Sequence, residues 1–236
     1  PTRMTNRAYR GLELFTELGT ISEQEFYDIK HDKRFSANSR SIAFLNQALE
    51  LDLGATEQKY RDAQQVIANW DRNTNIENRG AAISTCIIGA EWLAEQKGTP
   101  VPDAQEELER CTDLLLEKVG RIDPLWGDIN RHVRGDINLP VGGGPDTLRA
   151  IYGRDLNDQG YLTNVAGDGL YYLVSWDAAG RQKIRGVHQF GAATLDKTSP
   201  HYDDQVEDYV NEVLHDPLFD AQQRASKIQR SYRPGE

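Results

Sequence analysis

Histidines, cysteines and a glycine-rich run are the residues of this chain whose types could carry chemistry. No two of the five histidines lie four residues apart, so no helix face offers the paired imidazoles of a zinc hydrolase. The run 142–145 is not followed by Lys-Ser or Lys-Thr, which argues against a phosphate-binding loop. The sequence also has no Gly-x-Ser-x-Gly nucleophile elbow. These patterns predict no self-contained active site.

The histidines are expected to be structural or surface residues: His31, His132, His188, His201 and His215. His31 and Asp32 lie at a charged helix end, where a solvated surface pair is the usual arrangement. His188 and His201 are expected in the core or at an interface.

Cys86 and Cys111 lie in two predicted helices that a Gly/Pro turn separates. They have no closely spaced second cysteine or histidine pair, so a zinc site is not expected. The two residues either meet across the helix hairpin and form one disulfide, if the compartment is oxidising, or remain buried free thiols.

Size and charge exclude several classes of protein. A chain of 236 residues with 38% hydrophobic residues is long enough for one large or two small domains. The formal net charge of −10 disfavours a nucleic-acid partner, because phosphate binding needs a basic patch. The longest apolar stretches, 81–90 and 169–176, are shorter than the roughly 20 residues of a membrane span. A first residue other than Met predicts a processed product or part of a longer precursor.

The elements that would position any site change character at about residue 120. The first part shows repeated helix start signals and a 3.6-residue apolar spacing. These patterns predict helices over 6–18, 22–34, 38–53, 56–70 and 81–96, and one more that begins near 102. Ser22 and Glu25 form the sequence pattern of a capping box. We therefore predict a mainly helical region over 1–120.

The second part, 121–236, is predicted to consist of loops, a buried β-hairpin and a C-terminal helix. The hairpin strands are expected at 170–176 and 184–190, and the helix near 203–214, before a polar tail. The first strand is apolar on both faces, as in a strand that is covered on both sides. The fold class is therefore predicted to be α+β.

The second half resembles the C-terminal part of the β-chain of the penicillin-amidase and acyl-homoserine-lactone acylase family. The resemblance lies in a series of short segments in the family's order: 126–132, 136–150, 167–169, 188–191 and 199–205. The helical half matches more loosely, through 6–14 and 69–71. Together these segments extend over nearly the whole chain.

The resemblance implies a four-layer αββα N-terminal-nucleophile hydrolase core, which this chain would complete, with the helical half as an appendage. It also implies hydrolysis of an N-acylated small molecule, such as an acyl-homoserine lactone, a penicillin or a lipopeptide. The nucleophile of such enzymes is an N-terminal serine whose own amino group acts as its base. Pro1 has no nucleophilic side chain and Thr2 no free amino group. The serine, its neighbouring histidine and the oxyanion asparagine are therefore expected upstream.

The implied partners are the remaining segments of the same precursor, namely the α-chain and the upstream β-chain. Autoproteolytic processing of a zymogen and a periplasmic or secreted location would follow. No cofactor and no metal site are implied, and nucleic acid and a membrane span are not expected. The alternative is a non-catalytic interaction or scaffold module that retains the acylase fold.

Two candidate catalytic residues come from the resemblance. Arg7 loosely matches an arginine that braces the oxyanion asparagine or the surroundings of the nucleophile through forked hydrogen bonds; otherwise it is a surface residue of an amphipathic helix. Asp168 is placed where some relatives have an acid that orients the catalytic histidine. Its alternative is a simple turn at the start of a strand.

Overall fold

A computed structural model describes residues 4–54, 57–193, 195–218 and 221–228 of the chain. Helices and small sheets are both present, which confirms the α+β class. Pro1, Thr2 and the end of the polar tail lie outside the described residues. The longer helices all precede Gly120: α1 (Asn6–Leu18), α2 (Glu23–Lys30), α3 (Arg40–Leu49), α4 (Gln58–Ala68), α5 (Ala81–Lys97) and α6 (Ala104–Val119).

Local capping groups account for several helix starts. The Thr5 hydroxyl accepts a hydrogen bond from the Ala8 amide at the start of α1. Ser22 and Glu25 satisfy each other's backbone amides at the start of α2, which confirms the predicted capping box. Asp103 accepts hydrogen bonds from the Gln105 and Glu106 amides at the start of α6.

Four predicted helices are shorter in the structure. Helix α2 spans Glu23–Lys30, within the predicted 22–34. Helix α3 ends at Leu49 instead of 53, because Asp52 accepts a hydrogen bond from the Gly54 amide and forms a turn. Helix α4 spans Gln58–Ala68, within the predicted 56–70. The predicted helix 203–214 is only α8 (Val206–Val210), and Glu212 beyond it has a left-handed φ of 63°. A further short helix, α9 (Ala221–Ala225), lies in the predicted tail.

Helices α3 to α6 enclose the main hydrophobic core. Helix α5 is buried along most of its length, and α6 contributes Leu108, Cys111 and Leu115. The structure places Cys86 and Cys111 in a disulfide between α5 and α6, with a Cα–Cα distance of 6.0 Å. Of the two alternatives for these cysteines, the bridge is therefore the one observed. Trp126 and Ile129 also join this core, so it extends beyond residue 120, and the predicted domain division stays a prediction.

After the short helix α7 (Trp126–Ile129), the described strands form three small sheets. In the first, β1 (Asn130–Arg134) pairs antiparallel with β2 (Ile137–Pro140) and parallel with β4 (Leu162–Thr163). In the second, β3 (Ile151–Tyr152) pairs with β5 (Ala166–Gly167). The third is the hairpin of β6 (Tyr171–Trp176) and β7 (Gln182–Val187). The αββα layering implied by the resemblance stays a prediction.

The hairpin forms where the sequence predicts it, although β7 begins and ends earlier than the expected 184–190. Burial on both faces is not found among the described residues. Leu173 is buried, but the opposite face is exposed, with side chains that are 37% to 64% accessible: Leu170, Tyr172, Val174 and Trp176. The apolar character of both faces therefore predicted a cover that residues 4–54, 57–193, 195–218 and 221–228 do not provide.

A second, smaller core lies beside the hairpin and α8. It consists of Val141, Ile151, Val187 and Tyr209.

In the described part of the chain, no helix is long and apolar enough to cross a membrane.

Candidate functional site

Arg7 lies in the first turn of α1, which is anchored to a distant segment. The Asn6 amide donates to the Asp146 carboxylate at 2.7 Å, and the Asn6 side-chain amide donates to the Asp146 carbonyl at 2.9 Å. A carboxylate at this position satisfies a free amide and interacts favourably with the helix N-terminus. Burial raises the pKa of Asp146, and the bond from Asn6 opposes that shift. The start of α1 is therefore held in place from residue 146.

The Arg7 side chain is exposed, and its Nε donates to the Thr147 carbonyl at 3.2 Å. Its two outer nitrogens make no hydrogen bond to the residues that the structure describes. The guanidinium is thus oriented by one bond, while its forked end remains able to bind a carbonyl or amide oxygen.

Asp168 follows β5 and lies between two cations. Its Oδ2 is 2.5 Å from Lys30 Nζ and 3.1 Å from Arg149 Nη1. Gly167 precedes it with φ of 112°, and a Cβ there would overlap the Ala150 carbonyl oxygen. Only glycine therefore allows the close approach that places Asp168.

Both ion pairs are largely shielded from solvent. The Arg149 side chain is fully buried, and the Asp168 side chain is 17% exposed. Burial lowers the pKa of Lys30, although the Asp168 carboxylate opposes this shift. Both pairs use Oδ2, and Oδ1 accepts no hydrogen bond within the described ranges.

The segment 146–149 joins the two predicted residues. Along it, Thr147 binds Arg7 and Arg149 binds Asp168, while the Leu148 carbonyl lies 3.4 Å from Lys30 Nζ. The structure therefore brings Arg7 and Asp168 to the same short stretch of backbone. Sequence reasoning found the two residues but not this connection.

His31 is buried near the same cluster, and the expected solvated pair with Asp32 is wrong. The side chain is enclosed because α2 packs against β6: Nε2 lies 2.7 Å from the Tyr171 hydroxyl, and Nδ1 lies 2.8 Å from the Tyr27 carbonyl. Burial lowers the pKa of His31 to about 4. The imidazole is therefore neutral at pH 7. Asp32 pairs with Arg10 instead, at 2.8 Å.

The other histidines have structural contacts. His132 is buried and lies 2.8 Å from the Gln189 carbonyl, and His188 is partly buried. His201 is exposed and pairs with Asp204, so its expected place in the core is wrong, while an interface role is untested. His215 is also exposed. None of them contacts Asp168 in the part of the chain described.

Sequence reasoning missed Arg149, Lys30 and Tyr209 as members of the cluster. Arg149 Nη2 donates to the Tyr209 carbonyl at 2.6 Å, and the Tyr209 hydroxyl donates to the Asp168 carbonyl. The guanidinium carbon lies 4.5 Å from the Tyr209 ring centroid. Arg149 lies within the segment 136–150 that carries the resemblance, and this was the only signal that pointed to it. Among the described residues, no group of histidine, cysteine or acidic side chains is arranged to hold a metal ion.

The geometry places a largely buried carboxylate, Asp168, and an exposed guanidinium, Arg7, at one backbone segment. The chain matches the family model described as penicillin amidase over residues 2–226. It therefore belongs to the penicillin amidase family. Membership supports an acylase-type amide hydrolase as the general class of activity, and members are typically processed from a precursor.

Proposed function

We propose that this chain is the C-terminal part of the β-chain of an acylase that hydrolyses the amide bond of an N-acylated small molecule. The acyl-enzyme would form on an N-terminal serine located upstream of the chain. The observation that carries the proposal is the family match over residues 2–226. The contacts that Arg7 and Asp168 both make with the segment 146–149 support it.

In this proposal the serine hydroxyl attacks the amide carbonyl while the serine's own amino group takes the proton. That proton then goes to the leaving amine, and water hydrolyses the resulting ester. Arg7 is a positioning residue: its outer nitrogens brace the asparagine that donates to the oxyanion. Asp168, held through Oδ2 by Lys30 and Arg149, uses Oδ1 to orient the histidine near the nucleophile.

The proposed partners are the α-chain and the upstream β-chain of the same precursor. The exposed hairpin face that carries Tyr172, Val174 and Trp176 is the surface they would cover, because exposed apolar strands usually pair or pack. The Cys86–Cys111 disulfide supports a periplasmic or secreted location, where oxidising conditions preserve such bonds. The substrate class is an acyl-homoserine lactone, a penicillin or a lipopeptide.

The test is amide hydrolysis by the full-length gene product after processing, with representatives of the three substrate classes. We expect Arg7→Ala to lower kcat/KM by up to about 100- to 1000-fold, because an asparagine that is no longer braced loses its bond to the oxyanion, and removal of one such donor has an effect of this size. Arg7→Lys should restore part of this loss. Arg181→Ala, at an exposed position of the hairpin turn, is the matched control and should leave kcat/KM unchanged.

Two outcomes would contradict parts of the proposal. A processed wild-type protein that cleaves none of the three amides would favour the scaffold alternative. Hydrolysis that is insensitive to Arg7→Ala would keep the activity but remove Arg7 from the site.

A further inference from the structure

A cavity of about 500 Å³ lies between α5, α6 and the segment 152–156. The α5 wall contains small side chains together with Trp92 and Leu93, and leucines from α6, the segment 152–156 and β4 also line the cavity. The small residues are Ala82, Cys86, Gly89 and Ala90, and the leucines are Leu114, Leu115, Leu156 and Leu162. Trp126 and Ile129 also line the cavity. This volume and apolar lining are typical of small-molecule sites. Neither Arg7 nor Asp168 lines it.

Gly89 indicates that the space along α5 is open. It lies in the middle of a 17-residue helix, where glycine is less favourable than alanine by about 0.5–1 kcal/mol. A Cβ built at Gly89 meets nothing within 4 Å apart from its chain neighbours and the backbone of its own helix. Packing therefore does not require glycine here, and a larger side chain would extend into the cavity.

The mouth of the cavity is polar and carries balanced charge. Trp92 packs edge-on against Tyr152, with ring centroids 5.4 Å apart. Arg110 and Glu107 form an ion pair at 2.7 Å. Arg154 and Asp155, both exposed, add one charge of each sign.

The balanced charge at the mouth and the apolar walls favour an uncharged ligand that has an apolar chain. A charged head group would meet two guanidinium groups and two carboxylates, so neither an anion nor a cation gains a net attraction. An uncharged polar end can instead exchange hydrogen bonds with these groups, while the leucines and the small residues of α5 enclose an apolar chain.

We propose that this cavity is a binding site for an uncharged amphiphile, with an alkyl chain between α5 and α6 and a neutral polar end at the mouth. The site is additional to the proposed acylase chemistry and does not depend on it. Because Cys86 is part of the α5 wall, the disulfide to α6 fixes the width of the site.

Isothermal titration calorimetry on the full protein, with any polypeptides that co-purify, tests the proposal with three probes that differ only in the head group. The probes are 1-octanol, octanoate and octylammonium, none of which contains a hydrolysable amide. We expect 1-octanol to bind at least tenfold more tightly than either charged probe. Equal binding of the three probes, or no binding of 1-octanol, would overturn the proposal; the second result would mean that the protein itself fills the cavity.

Gly89→Leu should fill the cavity and weaken 1-octanol binding at least tenfold. The matched control is Gly11→Leu in α1, another helical glycine whose Cβ would meet nothing within 4 Å. It should leave the affinity unchanged within twofold. Ala90→Leu is a second cavity-filling variant, to be used if Gly89→Leu does not fold. Affinity that is the same in wild type and in a folded cavity-filling variant would show that the ligand binds elsewhere.

Discussion

The helical part of the molecule and the part after Gly120 are held together by different forces. Helices α3 to α6 bury a continuous set of apolar side chains and carry the disulfide. Among the described residues of the later part, four buried hydrophobic residues form a separate core, and Arg149 lies beside it with an ion pair to Asp168 and a hydrogen bond to the Tyr209 carbonyl. One part therefore depends on apolar burial and the other on a buried polar cluster.

The difference predicts different responses to mutation. Apolar burial is non-directional and tolerates exchanges of similar volume. A buried ion pair adds little net stability, but removal of one partner leaves an uncompensated charge. The polar cluster should therefore be the more sensitive part, although it buries less apolar surface.

The largest effect is expected for Arg149→Met, which leaves Asp168 with Lys30 alone and removes the donor to Tyr209. We expect a loss of about 3–5 kcal/mol in the free energy of unfolding, measured by urea denaturation. Arg181→Met, which breaks an exposed pair with Asp177, is the control and should cost less than about 1 kcal/mol. Equal losses in the two variants would mean that burial of the cluster is not what makes it sensitive.

Removal of the disulfide tests how much this cross-link stabilises the helical part. Replacing both Cys86 and Cys111 with alanine removes a cross-link between residues that are 25 apart in sequence. Such loops are expected to contribute about 3 kcal/mol. Urea denaturation followed by circular dichroism should show this loss, and a reductant should reproduce it in the wild type. A reductant that also lowers the stability of the double variant would indicate a different cause.

The pH dependence of the free energy of unfolding tests the burial of His31 near the polar cluster. Its pKa is about 4 in the folded chain and near 6.5 when unfolded, so the unfolded state binds more protons between these values. Stability is then fully present above pH 6.5 and is lost as the pH falls toward 4, by about 2 kcal/mol at pH 5. His31→Gln should flatten this part of the stability profile, whereas His201→Gln at an exposed site should not. A profile that His31→Gln leaves unchanged would contradict the assignment.

The smallest effect is expected at a local helix cap. Ser22→Ala removes the acceptor of the Glu25 amide and half of the capping box of α2. The expected loss is about 1 kcal/mol in thermal or urea unfolding. Glu57→Ala is the control, because Glu57 precedes α4 without a side-chain cap bond, and it should change stability by less than about 0.5 kcal/mol. If Glu57→Ala lost more stability than Ser22→Ala, the loss in Ser22→Ala could not be assigned to its helix cap.

Local features were predictable from the sequence because they depend on interactions between residues that are close together in the chain. The capping box at Ser22 joins residues three apart, and α5 begins at the predicted Ala81 and ends within one residue of the expected 96. The hairpin was found because its turn and strand residues are adjacent in the chain.

The candidate site was predictable only in part. Lys30 and Asp168 are 138 residues apart, and no local pattern of charges shows that they meet. His31 was mistaken for a surface residue because its charged neighbours dominate the local sequence, whereas its environment comes from Tyr171 on β6. Arg7 and Asp168 came from the family resemblance, and their catalytic roles stay predictions.

The central claim is that the acyl group is carried outside this chain. Mixing the processed full-length protein with an N-acyl substrate, quenching in acid and mapping the acylated peptide by mass spectrometry tests it directly. We expect the acyl group on the amino-terminal serine of a polypeptide that precedes this chain, and on no residue between 4 and 228. An acyl group on any residue of this chain would contradict the account, and so would the absence of both acylation and hydrolysis.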